Sequence, residues 1–194
     1  MLPSRGSVTV VVFLHGRGLG PKTADEIASA FDRAELMAPV GGVALRHGHT
    51  WFENVETGIA RPESVEAAEQ RLLDWLDGNV ADGQHIWLAG FSNGGAMAGH
   101  MLLRHPHLFR GAALFGAPLV LPPWPAGVLK DKDVLYAHGD ASDGIVDQTY
   151  YLAASSYLTE TSGARCVVRC YAASHHVTPE MIADARRWFA DVSG

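Results

Sequence analysis

The 194-residue chain predicts an α/β fold: one domain over residues 1–194, built on a doubly wound, mostly parallel sheet of about six to seven strands flanked by helices. Three observations predict it. Six short runs are apolar without alternation, as strands covered by helices on both faces must be. Segments with helical spacing lie between those runs. Polar segments bearing glycine or histidine follow four of them.

The first run, Val8–Leu14, is too short to span a bilayer and lacks a small-residue cleavage site. Despite the preceding Arg5 it reads as a core strand, not a signal peptide. "TADEIASAFDRA" follows, with Thr23 as its cap and an acidic first turn, and predicts a helix before the second strand, Glu35–Ala38. "PESVEAAEQRLLDWLDG" starts on Pro62, sets Val65, Leu72, Leu73 and Leu76 on one stripe, and stops at Gly78. His85–Gly90 is the third strand. The helix after it, Asn93–Arg104, presents Ala96, Met97 and Met101 for packing. Gly111–Phe115, Asp133–His138 and Cys166–Tyr171 complete the strands; Gln148–Thr161 and Pro179–Val192 complete the helices. Segments 39–61 and 116–132 are irregular and long enough to be functional loops.

Composition narrows the function classes. The formal net charge is −6 with no block of Lys or Arg, which argues against nucleic acid or an anionic membrane as the main partner. The ten histidines are scattered, and His47/His49 and His105/His107 have no Cys or carboxylate at zinc spacing, so no metal is expected. Cys166 and Cys170 fall on one strand, about 13 Å apart and beyond disulfide reach. They read as reduced, buried thiols of a cytoplasmic protein.

The chemistry centres on "HIWLAGFSNGG", residues 85–95, where Ser92 stands between Gly90 and Gly94 directly after an apolar run. A strand entering a very tight turn and then a helix needs such glycines. The motif alone is weak, since a shuffled chain of this composition carries it roughly one time in eight. The competing reading is a serine that caps the following helix. The surroundings strengthen the first reading. In a parallel sheet, ligands bind beyond the carboxyl ends of the strands. There stand "LHGRG" (14–18), Ser92, "HGDASDGIVD" (138–147) and "ASHHVTPE" (173–180).

With nucleophile, acid and histidine in that order, the chain resembles the α/β-hydrolase superfamily. It is most similar to the phospholipase/carboxylesterase group that includes acyl-protein thioesterases. The resemblance covers residues from about 8 to 190 and rests on "LHGRG", "GFSNGG", the "HG" segment at 138–143 and "YAASHHVTPE". "TWFE" (50–53) is similar to the segment this group carries before its substrate loop.

The resemblance implies a compact hydrolase needing no cofactor, with Ser92 as nucleophile, and the short stretch between Phe115 and Asp133 leaves no room for a lid domain. The group's spacing from Tyr171 selects His175 as the base, beside His176. Asp140, Asp143 and Asp147 compete as the acid, and Asp143 keeps the spacing to Val146. It also implies an oxyanion hole from the backbone N–H groups of Arg17 and Asn93. His15 and His138 read as structural residues of their turns.

Trp51 and Phe52, with Leu119 and Trp124 from the Pro-stiffened run 117–127, are the expected substrate wall. That run would otherwise serve as simple loop packing or a homodimer contact. The expected substrate is a small carboxylic ester or thioester; a binding module retaining the fold is the second reading.

Overall fold

The computed structural model describes residues 8–56 and 59–193. Residues 1–7, Arg5 among them, and Gly194 lie outside that range, as do Thr57 and Gly58 within the loop segment 39–61. Six strands form one sheet: β1 (Thr9–Leu14), β2 (Glu35–Met37), β3 (His85–Phe91), β4 (Phe109–Phe115), β5 (Asp133–Gly139) and β6 (Arg165–Tyr171). All neighbouring pairs are parallel, in the order β6-β5-β4-β3-β1-β2.

The uninterrupted apolar runs follow from this placement. Along β1, Val10, Val12 and Leu14 enter one core, and Val11 and Phe13 enter the other. Successive side chains point to opposite faces, and both faces are covered, so the buried positions Val10 to Leu14 are all apolar. Helices α1 (Pro62–Asn79), α2 (Asn93–Arg104) and α3 (Gln148–Ser156) cover the first core. Helix α4 (Pro179–Val192) and the segment 24–31 cover the second. Helix α1 buries one stripe at intervals of three and four, Val65, Ala68, Leu72 and Leu76, whereas α2 is buried all round from Gly94 to Leu103.

Three expectations require correction. "TADEIASAFDRA" makes one α-helical turn, Ala24–Ile27, between tighter 3-10 turns, and the Thr23 hydroxyl bonds back to the Gly20 carbonyl instead of capping it. The last turn of the expected helix 148–161 widens into a π-turn at Tyr157–Thr161. Cys166 is half-buried, but Cys170 is exposed because β6 is an edge strand. In the segment 39–61, two short ladders pair Val43–Ala44 with His49–Thr50 and Asn54–Glu56 with Ile59–Ala60.

The strand order reverses between β1 and β3. Crevices open at such switch points, beyond the carboxyl ends of the strands. The turn after β1 carries Arg17 and the turn after β3 carries Ser92, so both residues flank that crevice.

Candidate active site

Ser92 sits between β3 and α2 with φ 54° and ψ −122°, a backbone conformation that costs energy in an L-residue. Its N–H is held by the Phe115 carbonyl at 2.9 Å. The flanking glycines permit the turn by close approach. A Cβ on Gly90 would stand 2.6 Å from the Gly94 carbonyl oxygen, and one on Gly94 would overlap the carbonyls of Leu14 and His15. The turn therefore aims the Ser92 hydroxyl out of the sheet at the head of α2.

His175 follows β6, and its Nε2 lies 2.8 Å from Ser92 Oγ across 83 positions of sequence. Its Nδ1 lies 2.9 Å from Asp143 Oδ2. The carboxylate accepts at that oxygen, so Nδ1 carries the proton and Nε2 keeps a lone pair toward the serine hydroxyl. The Phe91 ring packs against the imidazole at a centroid distance of 5.0 Å.

Asp143 follows β5, and its side chain is 1% exposed. Burial alone would raise its pKa. Hydrogen bonds from Tyr151, His175 and the N–H groups of Ile145 and Val146 outweigh burial and hold the carboxyl below the ordinary range. Asp140 and Asp147 are placed differently. Asp140 accepts from the Ser142 N–H within its own turn, and Asp147 caps α3 through the Thr149 N–H. His176 is exposed, and its ring Nδ1 lies 3.0 Å from the Ser174 hydroxyl, away from Asp143.

Arg17 and Asn93 line the same cavity as Ser92, a cleft of about 600 Å³. Among the described residues neither backbone N–H has a hydrogen-bond acceptor. The Asn93 N–H also opens α2, where unpaired donors and the helix dipole favour negative charge. The Asn93 side chain has a separate role that sequence reasoning missed: its Oδ1 accepts from the Thr50 hydroxyl at 2.7 Å and the Trp51 N–H at 2.9 Å.

Of the four expected wall residues, only Phe52 lines the cavity. Trp51 is buried, and its indole N–H donates to the His15 carbonyl at 2.9 Å. Leu119 is buried against Gly99 of α2. Trp124 packs on Tyr157, 5.2 Å between centroids, and donates to the Val120 carbonyl. The apolar wall is instead Leu45, Phe52, Pro118, Val120 and Val146, with Glu53, Glu56 and Asp147 at the rim.

His15 after β1 and His138 near the end of β5 are both buried, each with its ring Nδ1 at the carbonyl of the next residue. His15 Nε2 accepts from the Gly41 N–H at 3.0 Å, so its Nδ1–H donates to the Gly16 carbonyl, and burial lowers its pKa. Away from the cavity, Glu69 of α1 holds His100 and His105 at 2.6 and 2.7 Å, a cluster that the scattered histidines of the sequence did not reveal.

A parallel sheet whose third strand ends in a strained serine, with a histidine and a buried acid supplied by later loops, defines the α/β-hydrolase class. Within that class the chain belongs to the phospholipase/carboxylesterase family, whose model matches residues 2–192. A rice protein (Oryza sativa subsp. japonica) named "probable carboxylesterase" is 30% identical, with 98% of this chain and 91% of that protein aligned. The crystal structure of a Mesorhizobium loti carboxylesterase superposes with a TM-score of 0.83 at 25% identity, covering 94% of this chain and 88% of that one. SOBER1 of Arabidopsis thaliana shares the fold at 22% identity and a TM-score of 0.79, over 97% of this chain and 100% of its own. Family and fold together support an esterase activity on a small-molecule ester. No helix among the described residues is long and apolar enough to cross a membrane.

Proposed function

We propose that the protein is a serine carboxylesterase that cleaves carboxylic esters, or thioesters, through an acyl-enzyme on Ser92. The observation that carries this reading is the continuous hydrogen-bonded chain from Ser92 Oγ through both nitrogens of His175 to Asp143 Oδ2, opening on one cleft.

Each step follows from the arrangement. A serine hydroxyl is a weak nucleophile until a base removes its proton. As Oγ attacks the substrate carbonyl, His175 Nε2 takes that proton, and Asp143 stabilises the resulting imidazolium through Nδ1–H. The oxyanion accepts from the N–H groups of Asn93 and Arg17, each contributing roughly 3–4 kcal/mol to such a transition state. Collapse of the intermediate breaks the bond to the alcohol or thiol, which leaves with the Nε2 proton. Water then attacks the acyl-enzyme with His175 again as base, and the carboxylic acid departs.

The acid part of the substrate is read as apolar, because Phe52, Val120 and Val146 form the wall beside Ser92. A binding module retaining the fold is the weaker reading, since ligand binding needs no base within reach of a hydroxyl.

The test is hydrolysis of p-nitrophenyl acetate and butyrate, with labelling by a fluorophosphonate. Wild type is expected to turn over both esters and to label at Ser92, and Ser92→Ala to do neither. Turnover no faster than buffer, together with absent labelling, overturns the proposal.

A further inference from the structure

Asp143 Oδ2 accepts two hydrogen bonds, and only one comes from His175. The other is donated by the Tyr151 hydroxyl at 2.6 Å. Tyr151 is fully buried on α3. Its place is held from two directions. Asp147 caps the helix, and the Gln148 side-chain amide donates to the Asp140 carbonyl at 2.6 Å, which fastens the first turn to the end of β5. The phenol ring then stacks on His138 of β5, 4.6 Å between centroids and 21° between planes. A buried, stacked ring cannot swing its hydroxyl away from the carboxylate.

We infer that Tyr151 is a positioning residue of the Ser92 site, which acts through Asp143 to fix the orientation and proton affinity of His175. The inference rests on the serine-esterase reading only for its effect on turnover. A carboxylate oxygen with a second donor carries less free negative charge, so it attracts the Nδ1 proton less and stabilises the imidazolium less. Tyr151 therefore helps to keep the shared proton on Nδ1 of the imidazole. The same hydroxyl prevents the carboxylate from rotating about its bond to Cβ, because Oδ1 is held by the Ile145 and Val146 N–H groups and Oδ2 by Tyr151.

The other ionisable groups facing this network lie on two sides. His138 and Tyr136 of β5 lie behind the Tyr151 ring, 4.6 and 6.5 Å between centroids. Arg17, Glu53, Glu56, Asp147 and Tyr150 line the cavity side. Gly116, at φ 52°, leaves the space beside His175 Cε1 and the Tyr151 hydroxyl open; its Cβ would lie 3.6 Å from both.

Two variants of the full chain test the inference. Tyr151→Phe removes the hydroxyl and keeps the stacked ring. Site-specific 3-fluorotyrosine at position 151 strengthens the donor at nearly the same size. His175 is titrated by NMR of its ring nitrogens in each protein, a readout independent of turnover. Tyr151→Phe is expected to raise the His175 pKa by about half a unit or more, and 3-fluorotyrosine to lower it. In p-nitrophenyl butyrate hydrolysis, Tyr151→Phe moves the acid limb of kcat/KM to higher pH and lowers kcat about three- to tenfold, with KM unchanged. An unmoved His175 titration in either variant overturns the inference, even if the melting temperature falls, because that is the signature of a packing role alone. Loss of Ser92-dependent turnover in wild type would instead count against the esterase reading, and the titration would still decide the role of Tyr151.

Discussion

The Asn93 carboxamide oxygen accepts the Trp51 backbone N–H at 2.9 Å, although 42 positions separate the two residues. The residue beside the candidate nucleophile thus uses its N–H for the cleft and its side chain to anchor the loop that carries Phe52. Wall and nucleophile are set by one short peptide.

Replacing Asn93 with Ala keeps the backbone N–H and removes that anchor. The Thr50 hydroxyl and the Trp51 N–H lose their shared acceptor, at a cost of about 1–3 kcal/mol. A lower melting temperature and a raised KM for p-nitrophenyl butyrate are expected, with a smaller change in kcat. Unaltered stability and KM would show that the loop is held by other contacts.

The acid can be separated from its neighbours. Asp143→Asn presents an amide to His175 and the wrong imidazole tautomer to Ser92, so kcat should fall roughly 10³- to 10⁴-fold. Asp140→Asn alters only an exposed turn and should leave kcat within about threefold. His176→Ala should behave like Asp140→Asn, and His175→Ala like Asp143→Asn. Steady-state kinetics of the four variants decide the assignment.

Two buried histidines set an acid limit on stability. Burial pushes His15 and His100 below the ordinary imidazole value of 6.5, partly offset by the Gly16 carbonyl and by Glu69 respectively. The unfolded chain therefore binds protons that the folded one refuses. The stability is complete above pH 6.5 and is lost as pH falls from there through the depressed native values, by at most about 1.4 kcal/mol per pH unit for each group. Melting temperatures measured from pH 8 to 5 should decline below 6.5, and His100→Gln should make the decline shallower. An equal slope in the variant would remove His100 from the account.

Gly94→Ala should be among the most destabilising single-methyl additions in the chain. The new Cβ meets the Leu14 and His15 carbonyls, rigid backbone at the end of β1 that cannot rotate aside. A loss of about 3 kcal/mol is expected in denaturant unfolding, whereas Gly83→Ala, with open space around its Cβ but φ +80°, should lose less.

Much of the architecture was legible because burial on two faces leaves a one-dimensional record. Val10 to Leu14 and Val134 to Ala137 are uniformly apolar since each side chain, up or down, meets a helix. The segment after β1 was less legible. "TADEIASAFDRA" has helical spacing, yet it packs as short 3-10 and α turns under α4, where tertiary contacts override propensity. Aromatic residues near the site were also ambiguous. Trp51 and Phe52 are neighbours, and only one faces the cleft; Leu119 and Trp124 lie against α2 and Tyr157. An apolar residue carries no mark that separates cavity wall from core. Tyr151 left only a faint signal, a tyrosine one turn inside a helix capped by Asp147.

Residue order alone carried the strand order, the four long helices, the tight serine turn and the set of polar segments at one sheet edge, because these depend on local periodicity and on glycines that local geometry demands. Which aspartate faces His175, which aromatic faces the cleft, and that Asn93 and Tyr151 brace the site were decided only in three dimensions. Those relations join residues distant along the chain, and packing direction, not residue type, selects among chemically equal candidates.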